Sequence, residues 1–196
     1  FNRWGRDLQK SWSEWGPRPP DHPTVFTAEL SDFSAKFPED TPQVGERPQS
    51  GGHHDAGDFD IRAFHYIVPM LLMRAFELNP TAFTDDQLSI PESGNGIPDL
   101  LDEVLWNIAG WEDLQEADGG VRLGVESWRH PWGRTFADED QLVYWTYSRD
   151  AIHSARIAAA FAQAARLLSS FDIDKSEALE VRARQAYTYA FANGVD

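Results

Sequence analysis

Apolar positions return at helical spacing in four stretches of the chain. Over residues 65–78, Ile67, Leu71, Ala75 and Leu78 form one stripe, widened by Val68 and Leu72, which predicts an amphipathic helix. Pro69 fits such a helix only near its first turn, and Asn79-Pro80 ends it. A second helix is predicted over 98–116. It is entered through Ser93-Gly94-Asn95-Gly96, with Pro98 suited to the first helical position and Asp99 favourable to the helix dipole. Its stripe is Leu101, Val104, Leu105, Ile108 and Trp111. Residues 149–170 predict an Ala-rich third helix carrying Ile152, Ala155, Ala159, Ala162, Ala165 and Leu168, and residues 175–192 a fourth. Small residues on such faces let helices approach closely.

Between these stretches the pattern breaks. Pro17, Pro19, Pro20, Pro23, Pro38, Pro42 and Pro48 exclude long regular elements from residues 16–52, leaving one long irregular connection with a short helix around 27–36. Asp118-Gly119-Gly120 reads as a turn, followed by a loop over 121–147 that holds Trp128, His130, Trp132, Tyr144 and Trp145. No strand of useful length is expected beyond a short piece near 121–125. The whole reads as an all-α scaffold of antiparallel helices, compatible with a solenoid or toroid, with a helical region over 65–196 behind the long loop.

Composition narrows the partners. Acidic residues outnumber basic ones 32 to 17, a formal charge of −15, which repels phosphate backbones and anionic lipid surfaces and argues against nucleic-acid and membrane partners. The longest apolar run, residues 67–73, is far short of the roughly 20 residues that span a bilayer. Cys is absent, so disulfides and thiolate metal sites are too. The chain opens on Phe1 and stops at Asp196, close to a strongly helical stretch, so processing or truncation at either end is expected. Eight Trp residues exceed what packing alone asks, and with this charge they point to sugar faces rather than bases.

The chemistry concentrates in Gly51-Gly52-His53-His54-Asp55-Ala56-Gly57-Asp58. Three glycines allow positive φ and a close approach of backbone to ligand, while two carboxylates three residues apart make an oxygen-rich corner. That corner is an Asp-Gly turn, a cation site, or a pair of carboxylates that orients and deprotonates a water. A calcium loop of the EF-hand kind is excluded, because the twelfth positions counted from Asp55 and Asp58 are Tyr66 and Pro69. His53 and His54 raise zinc, but no His-Glu-x-x-His motif occurs and no Cys can assist, so the expected metal set is none. Trp128, His130 and Trp132, within five residues of one another, suggest a carbohydrate platform.

This loop resembles the signature of family 9 glycoside hydrolases, in which a Gly-Gly-Trp-Tyr-Asp-Ala-Gly-Asp-like segment carries the general base. Residues 91–103, Pro-Glu-Ser-Gly-Asn-Gly-Ile-Pro-Asp-Leu-Leu-Asp-Glu, followed by Trp106 and Asp118-Gly119-Gly120-Val121, are similar to the same family's next helix and turn. The resemblance implies an (α/α)6 toroid, of which this chain would hold the N-terminal part, and inverting hydrolysis of β-1,4-glucans such as cellulose. It implies that Asp58 is the general base and Asp55 its partner in holding the attacking water, with His54, Trp128, His130 and Trp132 gripping the sugar. In an inverting enzyme the acid stands about 6.5 to 9.5 Å from the base. Asp55 and Asp58 therefore serve one side, and the acid is a Glu expected beyond residue 196. Glu92, Glu126 and Glu139 lie near the loops but in no matching context. No redox cofactor is implied, a structural calcium with unassigned ligands is compatible, and secretion or a periplasmic location follows from the resemblance. His53-His54 depart from the usual Trp-Tyr, and the family's Cys and His zinc site should be missing. Two alternatives accompany this reading. One is an exo-acting glycosidase or glucosaminidase of the same family on short oligomers; the other is a helical domain that binds carbohydrate without cleaving it.

Overall fold

The computed structural model describes residues 3, 22–32, 36–55, 59–133 and 135–195. Four α-helices dominate: α1 (Ile67–Leu78), α2 (Asp99–Asp113), α3 (Ala151–Leu168) and α4 (Ile173–Ala192). Helix α2 is the central one, and its predicted stripe is its buried face: Leu101, Val104, Ile108 and Trp111 are each at most 2 % exposed, with Leu105 half-buried beside them. Pro98 sits one position earlier than expected, as the N-cap, with Asp99 and Asp102 in the first turn.

Helix α1 follows a 3-10 turn, Ala63–Tyr66, and places Pro69 in its first turn, where a missing N–H leaves no intrahelical bond unmade. Its buried face is not the predicted one. Pro69, Met73 and Phe76 face the core, whereas Ile67, Leu71 and Leu78 are 47 %, 64 % and 70 % exposed. The segment is apolar on every side, so periodicity alone cannot choose the face. Helix α3 shows the same effect. Ala165 and Leu168 are buried as expected, but Ile152, Ala159 and Ala162 are exposed, and the core contacts come from Ile157, Ala158, Phe161 and Ala164. Asp150 and Asp172 cap α3 and α4 by accepting the backbone N–H of His153 and Lys175. Residues 169–172 form a short connection, and the two helices pack through Ala158, Ala165, Ala183 and Ala186. Leu71, Leu78, Val181, Tyr187 and Phe191 leave apolar patches of α1 and α4 exposed.

The all-α expectation needs a correction. A four-stranded sheet in the order β2-β1-β4-β3 is built from β1 (Thr24–Thr27), β2 (Arg47–Pro48), β3 (Val125–Ser127) and β4 (Tyr144–Thr146). β1 runs parallel to β4, with Phe26 opposite Trp145, and the other pairs are antiparallel. The helix expected near 27–36 does not form among its described residues: β1 ends there, and residues 28–32 are irregular. The supposedly unstructured residues 16–52 thus supply two strands. Phe37, Trp145 and Tyr147 pack a second small core beneath the sheet.

His153 lies in the main core, 1 % exposed, its ring edge-on to Trp111 at 4.9 Å, and neither ring nitrogen has a hydrogen-bond partner among the described residues. Burial, with Arg156 adding to it, pushes its pKa down to about 3. Because the folded value lies below the unfolded one, His153 stabilises the fold fully above about pH 6.5, and that contribution fades as pH falls towards 3. The expected loss between about pH 7.5 and pH 4 is about 3 kcal/mol. In urea unfolding, H153L should lose less stability over that interval than the parent by this amount; an identical pH dependence rejects the role.

Candidate functional site

The acidic loop is laid on α2 by backbone contacts. Gly51 and Gly52 have φ of +95° and +88°. The Gly52 N–H donates to the Trp106 carbonyl at 2.9 Å, and the Trp106 indole N–H returns a bond to the Gly52 carbonyl at 3.1 Å. A Cβ on Gly51 would lie 2.6 Å from the Trp106 carbonyl oxygen, and one on Gly110 would lie 2.7 Å from the Gly51 oxygen. Loop and helix therefore touch only because all these positions lack side chains.

The next residues diverge in role. His53 Nδ1 accepts from the Asn107 amide at 3.1 Å, which leaves its Nε2–H to donate to Glu103 at 3.2 Å. Glu103 also receives the Arg3 guanidinium at 2.7 Å, and Arg3 pairs with Glu92 at 2.8 Å and stacks over Trp106. Burial works against the Glu103 charge, but the bonds from His53 and Arg3 outweigh it and hold its pKa at about 2. His54 is 5 % exposed and packs edge-on to Phe59 at 5.2 Å. The two histidines thus meet different partners, and no group of three metal-ligating side chains occurs among the described residues.

Asp55 is the candidate that reaches solvent. Its side chain is 33 % exposed, and its Oδ1 accepts from His65 Nε2 at 3.1 Å. Its backbone N–H donates to the Asp60 carbonyl at 2.8 Å, and Phe59 takes a φ of +46° just before Asp60. Asp58, the other predicted carboxylate, lies outside the described residues, with Ala56 and Gly57.

His65 belongs to the 3-10 turn before α1. Its Nδ1 accepts the Arg62 backbone N–H at 3.2 Å, so the proton of the neutral ring sits on Nε2, facing Asp55. Burial, stronger than the opposing bond to Asp55, pushes its pKa below the ordinary histidine value. Arg62 is in turn anchored to the sheet. Ile61 and Val125 exchange backbone bonds of 3.0 and 2.8 Å, and the buried Glu126 carboxylate pairs with both Arg62 and Lys36. The Tyr147 hydroxyl donates to Glu126 at 2.5 Å; burial and that bond push the phenol well above its usual range. Of the three nearby glutamates, Glu126 is buried at 1 %, Glu92 is tied to Arg3, and Glu139 is exposed.

The predicted aromatic platform divides. Trp128 is half-buried against the second core, with the Arg129 guanidinium 4.8 Å from its ring. His130 is exposed, and Trp132, 76 % exposed, lines a cleft of about 280 Å³ with Arg129, Thr135, Glu139 and Asp140. Sequence reasoning singled out neither His65 nor Glu126 as a partner of the loop. His65 falls ten positions after Asp55 with no motif to mark it, and Arg62 meets Glu126 across 64 residues of sequence.

The family profile described as Glycosyl hydrolase family 9 matches residues 8–196. The chain belongs to that family. Among family 9 relatives, the xyloglucan-specific endo-β-1,4-glucanase of Bacteroides ovatus is 27 % identical over 190 residues, covering 91 % of this chain and 30 % of its own length. The cellulose 1,4-β-cellobiosidase of Acetivibrio thermocellus is 28 % identical over 158 residues, covering 69 % of this chain and 18 % of the relative. A metagenome-derived family 9 endoglucanase of known structure superposes with a TM-score of 0.84 and 31 % identity, over 100 % of this chain and 34 % of that protein. The chain spans about a third or less of the length of each.

Proposed function

We propose that this chain is the N-terminal, water-activating part of a family 9 catalytic domain that cleaves β-1,4-glucosidic bonds with inversion. The single observation that carries the proposal is the Asp55 carboxylate, held at one oxygen by His65 and partly open to solvent, in the loop that bears the family's signature. In this reading Asp58 takes a proton from a water while Asp55 accepts that water's second hydrogen. The freed oxygen attacks the anomeric carbon on the face opposite the leaving oxygen, which a Glu supplied by residues outside this chain protonates. Trp132 and its cleft supply a surface on which a sugar can stack. Completion of the (α/α)6 ring by further helices covers the exposed faces of α1 and α4. The names of two relatives, one xyloglucan-specific and one acting on cellulose, support a β-1,4-glucan as substrate. A polymer too large to enter a cell places the enzyme outside the cytoplasm, and no helix among the described residues is long and apolar enough to cross a membrane.

Proton NMR of fresh hydrolysate from a cello-oligosaccharide, using the full polypeptide, tests the mechanism. The α-anomer is expected to appear first, and β-anomer appearing first rejects inversion. Product profiles on cellulose, cellotetraose and chitosan oligomers separate internal cleavage from exo action.

A further inference from the structure

We infer that His65 is a positioning residue for Asp55: its Nε2–H fixes one carboxylate oxygen and so presents the other to the nucleophilic water. The inference rests on the hydrolase reading above and deepens it. Its ground is a chain of contacts running from the sheet to the loop. Glu126 on β3 holds the Arg62 side chain, the Arg62 backbone N–H holds His65 Nδ1, and His65 Nε2 holds Asp55 Oδ1. Each link is directional. The bond at Nδ1 dictates the tautomer, so the ring offers Asp55 a donor and never competes for its protons.

The ring itself cannot turn freely. It is 7 % exposed, Phe64 stands edge-on to it at 4.8 Å, and the residue is fixed in the 3-10 turn at the foot of α1. The groups it faces are Asp55, the Arg62 amide and His53, whose backbone also bonds the ring; burial keeps it neutral among them. Asp55 Oδ2 has no hydrogen-bond partner among the described residues, and the side chain is one-third exposed, so that oxygen is available to a water. A carboxylate that shares a water with a second carboxylate has to keep its plane. A displacement of about 1 Å at a reacting group removes on the order of a hundredfold in rate, and a single buried donor on one oxygen suppresses that rotation.

Two substitutions separate this role from plain support of the turn. In H65Q the side-chain amide reaches the place of Nε2 and keeps a donor for Asp55. In H65N the shorter amide reaches only the place of Nδ1, so it can still accept the Arg62 N–H but leaves Asp55 undirected. Both are made in the full polypeptide and assayed on a soluble cello-oligosaccharide, with folding checked by thermal melts. H65N is expected to lower kcat about 10- to 100-fold with KM nearly constant, and H65Q to stay within about fivefold of the wild type. H65N equal to the wild type, H65Q as poor as H65N, or a change confined to KM overturns the inference. Nitrogen-15 NMR of the wild-type imidazole needs no substitution at position 65 and decides the matter if H65N does not fold. The Nε2–H tautomer, with an Nε2 resonance that moves in D55A, supports the role, and an Nδ1–H tautomer or an unmoved resonance overturns it. If the wild type hydrolyses β-1,4-glucan and the His65 tests fail, only the positioning role is lost. If the wild type does not hydrolyse it, the hydrolase reading falls first and this inference with it.

Discussion

Replacing Asp58 by Ala in the full polypeptide is expected to lower turnover of β-1,4-glucan by about a thousandfold while oligosaccharide binding stays near the wild-type value. Water is a poor nucleophile with a pKa near 15.7, and a positioned general base contributes about 10²- to 10⁴-fold. The group removed acts only once the water begins to lose its proton. The loss should therefore appear in kcat and kcat/KM alike, leaving KM in place. Asp55→Ala is expected to be milder, because in this reading Asp55 orients the water and takes no proton. Azide, which attacks without deprotonation, should partly restore turnover in D58A and yield the inverted glycosyl azide. Wild-type turnover in D58A rejects the assignment, as does a loss confined to binding.

The helical frame was legible because its signals are local. The Leu101, Val104, Ile108 and Trp111 stripe of α2 is its buried face, and Asn79-Pro80 closes α1 as its residues require. Faces failed where every side is apolar or small: in α1 and α3, burial is decided by which neighbour is present, and that lies outside the helix's own sequence. The sheet was illegible for a different reason. Its strands have two to four residues, too few for a period of two to register, and β1 finds β4 about 120 positions away. The site was half legible. Its glycines and aspartates carry a spacing that can be read directly, and the need for Gly51 is visible in how closely it lies on α2 at Gly110. His54 reads as a sugar contact from its place beside Asp55, yet its ring lies buried against Phe59, a position only the fold could reveal. The partners that hold the loop, His65 and Glu126, are recognisable only when separate segments meet.

Glu126 carries the second large expectation. E126A should destabilise the fold by about 3–5 kcal/mol, the range seen when one member of a buried ion pair is removed and its partner is left charged. Glu126 is 1 % exposed and holds Arg62, Lys36 and the Tyr147 hydroxyl at once. The side chains of Arg62 and Lys36 are 17 % and 32 % exposed, so Lys36 can turn towards water while Arg62 stays largely enclosed. Asp60, with a carboxylate oxygen 3.6 Å from Arg62, remains to offset part of that charge, which places the expected loss nearer the lower end of the range. E126Q should lose less, since its amide oxygen still accepts from Tyr147 or Arg62. A combined change of Glu126 and Arg62 to Met should recover part of the stability lost in E126A, because the enclosed Arg62 charge goes with its carboxylate, while Lys36 can turn to water and Asp60 gives up only its 3.6 Å contact. It should not recover rate. The Ile61–Val125 backbone bonds would still hold the chain to the sheet, but the Arg62 side chain would no longer fix the turn that aims His65 at Asp55. Denaturant midpoints for the three variants, read with kcat on the same samples, separate the two effects. E126A within about 1 kcal/mol of the wild type would show that the pair's attraction only balances its desolvation, and that the loop takes its order from the backbone alone.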